Sequence, residues 1–244
     1  MKKTLALLMM AGTFSMADMI AGGEINLGYY SHAPSGNLAY KGTSIDLEDD
    51  LQFGNEADFF AKAYIEHPIP VLPNIRVAYA DFSHAGDGKI NNTFTFGNKS
   101  FAQGLNVDST FDLKMYDLTL YYELLDNWVS LDAGVNVKYI DGSVSVKSGS
   151  LSEATDFQVP IPMVYMKARF DVPTTDLTFQ VEGDYIGYSG NTLYEVEAGV
   201  RYTFLLGLGV EVGYKAMKIK IDDVDDFTMN TDFSGAYGKL VWDF

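Results

Sequence analysis

Residues 128–140 read WVSLDAGVNVKYI, and their polarity alternates with a period of two. Val129, Leu131, Ala133, Val135, Val137 and Tyr139 fall on one parity; Ser130, Asp132, Gly134, Asn136 and Lys138 fall on the other. Successive side chains of a β-strand point to opposite faces, so this stretch predicts a strand with one apolar and one polar face. One such strand would fit a soluble sheet. Recurrence decides against that: residues 192–204 set Tyr194, Val196, Ala198, Val200, Tyr202 and Phe204 against Glu195, Glu197, Gly199, Arg201 and Thr203. Residues 177–187 set Leu177, Phe179, Val181 and Tyr185 against Thr178, Gln180, Glu182 and Asp184, and residues 163–171 set Val164, Met166, Ala168 and Phe170 against Tyr165, Lys167, Arg169 and Asp171.

Working outward, the same contrast marks Ile25, Leu27 and Tyr29, then Phe59, Ala61, Ala63 and Ile65, then Ile75, Val77 and Tyr79. It continues with Tyr116, Leu118, Leu120 and Tyr122, with Leu208, Val210, Val212 and Tyr214, and with Ala236, Gly238, Leu240, Trp242 and Phe244. That makes about ten strands, with eight as the alternative count. Tight links at 125–127, 172–176 and 205–207 and the proline-stiffened HPIPVLPN at 67–74 alternate with longer polar links at 32–56, 85–111, 141–160 and 221–232. One short link lies at 189–191, and the alternation within KINNTFTFG, residues 89–97, extends the second long link as a hairpin. The pattern predicts an all-β, antiparallel up-and-down transmembrane barrel, with apolar residues toward lipid, short turns on the periplasmic side and longer loops outside.

Residues 1–17, MKKTLALLMMAGTFSMA, carry two lysines, an apolar run too short to span a bilayer, and small residues before Asp18. They predict a signal peptide cleaved after Ala17, leaving residues 18–244 as the barrel domain. Loss of Lys2 and Lys3 takes the formal charge from −16 to −18, which excludes nucleic acid as a partner. There is no cysteine, so no disulfide framework is available. A mean hydropathy of −0.01 is what a barrel gives, because lipid-facing and lumen-facing residues cancel. The 16 Tyr and 16 Phe suit two membrane interfaces.

The closing segment GAYGKLVWDF resembles the C-terminal signature of bacterial outer-membrane barrels, with Leu240 and Trp242 at alternating positions before a terminal Phe244. The resemblance implies that Tyr237, Leu240, Trp242 and Phe244 form the signal read by the barrel assembly machinery. The layout is also similar to small outer-membrane barrels of uncharacterised function with a proline-rich first periplasmic turn. That likeness carries no ligand-binding or catalytic residue across, and implies a Gram-negative cell outer membrane with lipid and lipopolysaccharide as surroundings.

The polar parity puts Lys62, Glu66, Arg76, Asp117, Glu123, Asp132, Lys138, Lys167, Arg169, Glu182, Asp184, Glu195, Glu197, Arg201, Glu211, Lys215 and Lys239 in the lumen. They either line a narrow, porin-like path for small cationic solutes or pair into a plug, and ten strands favour the plug, since about eight strands leave an interior just filled by side chains. The expected role is therefore structural or surface-interactive, in a monomer with no cofactor. Enzymatic activity is not expected. His32 and His84 read as polar rim residues near Asp81, His67 falls in a turn, and Ser83 faces away from His84, which argues against a hydrolase site. Asp222, Asp223, Asp225 and Asp226 are the candidate divalent-ion ligands, though their stretch lacks the spacing of a calcium loop and reads as a solvated turn.

Overall fold

The computed structural model describes residues 22–69, 71–224 and 226–244. The expected signal peptide and its cleavage after Ala17 lie outside the described residues, as does Asp225. In chain order the strands are β1 (Gly22–Tyr40), β2 (Ile45–Asp46), β3 (Glu56–Glu66), β4 (Asn74–Lys89), β5 (Phe94–Phe96), β6 (Lys99–Phe101) and β7 (Asn106–Asp126). They continue with β8 (Val129–Ser148), β9 (Leu151–Asp171), β10 (Leu177–Tyr188), β11 (Asn191–Thr203), β12 (Leu208–Val224) and β13 (Phe227–Asp243). Ten of these, β1, β3, β4 and β7–β13, pair antiparallel with their sequence neighbours, and β13 closes on β1 from Glu24↔Asp243 to Tyr40↔Phe227. The fold is a closed ten-stranded up-and-down barrel in which both described ends meet at the same rim.

At that rim the links are tight. Asn127 and Trp128 join β7 to β8, and a turn through Leu206 and Gly207, both at positive φ, joins β11 to β12. At the opposite rim β10 and β11 meet through Ser189 and Gly190, whose φ values of 51° and 87° match a two-residue turn of primed type, the twist a tight hairpin needs.

Outside the wall the apolar parity is exposed: Tyr29 is 62 % accessible, Val212 65 % and Leu240 64 %. The apolar band is bounded on one side by Tyr79, Tyr116 and Tyr139, which lie in register across three strands. On the other side it ends in the ring pairs Trp128–Phe170, Tyr202–Phe204 and Trp242–Phe244. Between Val129 and Tyr139 ten residues at about 3.3 Å, tilted about 40°, give about 25 Å, the height of a lipid-facing band. The membrane-spanning segments are therefore 24–30, 59–66, 75–80, 115–124, 129–139, 163–171, 177–186, 194–204, 208–215 and 236–243.

Above the tyrosine row the expected long polar loops are corrected. Residues 141–148 and 151–160 are strand, joined by a two-residue link, and 221–224 and 227–232 continue β12 and β13. β1 runs to Tyr40 and β4 to Lys89, where Lys89 still pairs with Asn106. These stretches keep the period of two but invert it. Inward positions become apolar, as at Ile140, Val144, Val146, Met217, Ile219, Met229 and Phe233, while outward positions become polar, as at Asp141, Ser143 and Ser145. Here the outside solvent is water, so the barrel needs an ordinary hydrophobic core. Residues 89–97 extend their hairpin only to Lys89; Phe94–Phe96 then pairs with Lys99–Phe101 as a separate ladder whose Phe94, Phe96 and Phe101 are buried in that same core.

Candidate functional site

Within the membrane band the lumen is filled by ion pairs. Glu182 on β10 accepts from Lys62 on β3 at 3.2 Å, from the Tyr64 hydroxyl at 2.8 Å, and from the Arg76 guanidinium on β4. Arg76 also reaches Asp184 at 2.9 Å, donates to Thr119 Oγ1 at 2.9 Å, and stacks its guanidinium 4.5 Å from the Tyr165 ring. Lys138 on β8 bridges Asp117 at 2.8 Å and Glu195 at 3.0 Å, and Lys215 on β12 joins Glu195 at 2.6 Å. Glu197 binds Lys62 at 2.8 Å and Lys239 at 3.2 Å; Lys239 and Arg201 both meet Glu211. Lys167 lies 4.2 Å over the Tyr64 ring and is opposite Asp132 in register.

The strand parity thus brings these side chains into one connected, almost fully buried network spanning opposite walls. Buried charges in such a network are tolerable where opposite partners and further hydrogen bonds meet them, as they do for Glu182, Arg76, Glu195 and Arg201. Three of the expected lumen residues stand apart. Glu123 is exposed at the tight-turn rim beside a bulge in the β7–β8 register, Arg169 is partly exposed and 3.6 Å from Asp171, and Glu66 accepts from the Tyr121 hydroxyl at 3.1 Å. Glu24 belongs to the network although sequence reasoning passed it over: Arg201 grips it at 2.8 and 3.0 Å. Its opposite parity to Ile25 was the signal that marked it.

Directly above the charges the apolar core closes the bore: Tyr30, Phe82, Phe111 and Phe233 pack ring to ring, with centroids 5.6–6.0 Å apart. From the side, Leu47, Leu51 and Phe53 of the 41–55 link fold into the mouth and are buried. The three layers leave the interior first ion-paired, then greasy.

Within this core lie His32 on β1, Asp58 on β3 and His84 on β4, whose potential ligand atoms all fall within 4.8 Å. The reading of these histidines as polar rim residues is corrected: His32 and His84 are 0 % and 1 % accessible, because even parity on β1 and β4 points inward. Both lie beyond the tyrosine row. Burial foremost, with His32 beside it, holds the His84 imidazole down to about 4 and hence neutral. Ser83 faces out and donates to Asp112 at 2.6 Å, and Asp81 accepts from the Tyr79 hydroxyl, so neither joins His84. His67 stays in its turn, 3.1 Å from the Pro73 carbonyl oxygen. Asp222, Asp223 and Asp226 are exposed, and among the described residues they form no ligand cluster.

The wall is also notched. The β10–β11 hairpin ends at Tyr188 and Asn191, while β9 begins at Leu151 and β12 continues to Val224. The gap opens a cleft of about 780 Å³ lined by Phe157, Val159, Ile186, Leu193, Ile219 and Phe227, with Lys41, Lys220 and Asp226 at its edge. The Tyr237 hydroxyl donates to Glu211 at 2.6 Å inside, whereas Leu240 and Trp242 face outward and Phe244 pairs its backbone with Gly23.

No family model and no curated protein matches the chain. Solved structures do. The outer membrane protease OmpT from Escherichia coli aligns with a TM-score of 0.60 at 10 % identity, over 93 % of this chain and 97 % of that one. The translocator domain of autotransporter NalP from Neisseria meningitidis gives 0.46 at 11 %, over 100 % and 98 %, and Ail of Yersinia pestis 0.39 at 14 %, over 92 % and 100 %. The chain has the fold of a bacterial outer-membrane β-barrel.

Proposed function

We propose that this protein is a monomeric barrel of the outer membrane whose lumen is closed and whose working surface is its outer rim, where the notch above β10–β11 takes the apolar part of an amphipathic ligand. The observation that carries this reading is the change of the interior from an ion-paired layer to an apolar one, which leaves no continuous wet path for a solute. An even strand number with tight links at the rim shared by both ends puts that rim in the periplasm and the tall hairpins outside. The C-terminal strand serves the assembly machinery, and lipopolysaccharide surrounds the outer rim. The notch lies just above the lipid band, at Tyr185 and Tyr194, so a chain leaving the outer leaflet meets partly exposed Ile186 first, with Lys41 and Lys220 placed for an anionic head group. Binding rather than catalysis is the role we assign: Ser83 and His84 turn to opposite faces, and likeness to a protease at 10 % identity carries no activity over.

The test joins two measurements on the refolded barrel. Planar-bilayer recordings stay silent, and a fluorescent fatty-acyl probe binds in a manner weakened by Ile186→Glu in barrels whose heat-modifiable migration is unchanged. Discrete cation-favouring openings that shift on Glu195→Gln and Glu197→Gln would replace this reading by that of a narrow pore.

A further inference from the structure

The His32, Asp58 and His84 cluster belongs neither to the lumen network nor to the notch. The two imidazoles sit with ring centroids 4.9 Å apart, boxed by Tyr30 and Phe82 at 4.3 Å from His32 and by Phe111 and Phe233 beside His84. Both ring nitrogens of His32 are buried without a hydrogen-bond partner, and buried His84 has only the Gly54 backbone near enough to satisfy one of its two. A neutral imidazole carries one donor and one acceptor, and each left unsatisfied costs about 1–3 kcal/mol, while aromatic walls offer neither lone pairs nor strong donors. His32 Nε2 stands 3.2 Å from Asp58 Oδ2, yet the two are not aligned as a hydrogen bond. Ligand atoms bonded at about 2.0–2.2 Å around a tetrahedral ion sit about 3.3 Å apart, so this pair already has that spacing, and the cluster, whose ligand atoms all lie within 4.8 Å, reaches it by small side-chain shifts.

The way in is also visible. β3 and β4 pair only from Ile65↔Ile75 to Phe60↔Ala80, whereas β4 stays paired with β7 as far as Lys89↔Asn106. Above Phe60 the wall therefore has a seam. A groove of about 570 Å³ opens there on the outer surface, lined by Asp58, Asp81, Asp112 and Asp141 with Lys114. Asp58 takes part in both the groove and the buried cluster, and a concave surface whose four carboxylates outnumber its one ammonium raises the local concentration of cations.

We propose that His32, Asp58 and His84 form a site for one divalent transition ion of the zinc class, entered through the seam between β3 and β4. Two imidazole nitrogens and one carboxylate suit such an ion, whereas calcium and magnesium want six or more oxygens. Three protein ligands leave the fourth position toward the groove. Occupancy gives both histidines an acceptor for their lone pairs in a core that otherwise leaves them stranded.

The full mature barrel, refolded in detergent and stripped with chelator, is titrated with Co²⁺ as the spectroscopic probe and then with Zn²⁺. The expected result is one Co²⁺ per chain with tetrahedral ligand-field bands, displaced by Zn²⁺. Asp58→Asn raises Kd at least about tenfold and His84→Gln more, with heat-modifiable migration confirming folded barrels. No bound Co²⁺, or binding that survives both substitutions, overturns the proposal. Binding lost on Asp81→Asn and Asp112→Asn but not on Asp58→Asn also overturns it, assigning the ion to the outer groove. Should His84→Gln fail to fold, Asp58→Asn at the seam decides.

Discussion

Replacing Arg76 by Met tests whether the lumen is held by its charges. Arg76 reaches Glu182, Asp184 at 2.9 Å and Asp117 at 3.8 Å, and it is the one cation among the described residues within 4 Å of the Asp184 carboxylate. At an effective interior dielectric of about 20, a pair 2.9 Å apart attracts by about 6 kcal/mol before desolvation is subtracted. Removing one partner of a buried pair typically destabilises by about 3–5 kcal/mol, because the other charge stays buried and uncompensated. Methionine keeps most of the volume, so the loss is electrostatic rather than a cavity. Urea unfolding of the barrel in lipid, followed by tryptophan fluorescence, should show that loss for Arg76→Met. Arg76→Met with Asp184→Asn should recover at least half of it, since neutralising Asp184 removes the stranded charge. A single variant within about 1 kcal/mol of wild type, or a double variant no better than the single, would refute the reasoning.

The two faces of a strand should respond oppositely to charge. Val212→Arg, on the lipid side of β12, should cost about 2–4 kcal/mol near the midplane, measured by the same unfolding assay, while Ser145→Arg, on the water-facing outside of the tall β8–β9 hairpin, should be near neutral. Phe233→Ala, at the centre of the apolar closure, should cost about 3–5 kcal/mol; a smaller loss would show that the plug is loosely packed. Gly235→Ala should depress the yield of folded barrel on heat-modifiable gels, because a Cβ there would lie 1.8 Å from the Ser31 carbonyl oxygen across the closing β13–β1 seam. Normal yield would show that the seam can shift.

Within the membrane band the strands and their facing were legible because lipid outside and charge inside give one rule for every strand. Lys138, Glu195 and Arg201 could be placed inward from residue 128 onward by parity alone, and Leu240 outward. The outer hairpins were not legible in the same way. Val144, Val146, Met229 and Phe233 keep the period of two, but a reader seeking apolar residues on the lipid side assigns them to loops, since nothing local says where the lipid ends.

The histidines show the same limit more sharply. His32, Asp58 and His84 come from three strands, and their meeting depends on the stagger with which β13, β1, β3 and β4 close the barrel. The notch depends on a difference in height between hairpins that are far apart in sequence.

The sequence by itself determined the strand period, the approximate strand number, which parity faces lipid, and the charged lumen, because each follows from side-chain alternation within a single strand and from the solvent on either side of it. Only the tertiary structure decided who pairs with whom across the bore, where the interior turns from ionic to apolar, and that two histidines and an aspartate share one pocket. Those depend on register and shear around a closed sheet, which are properties of ten strands together and of no segment alone.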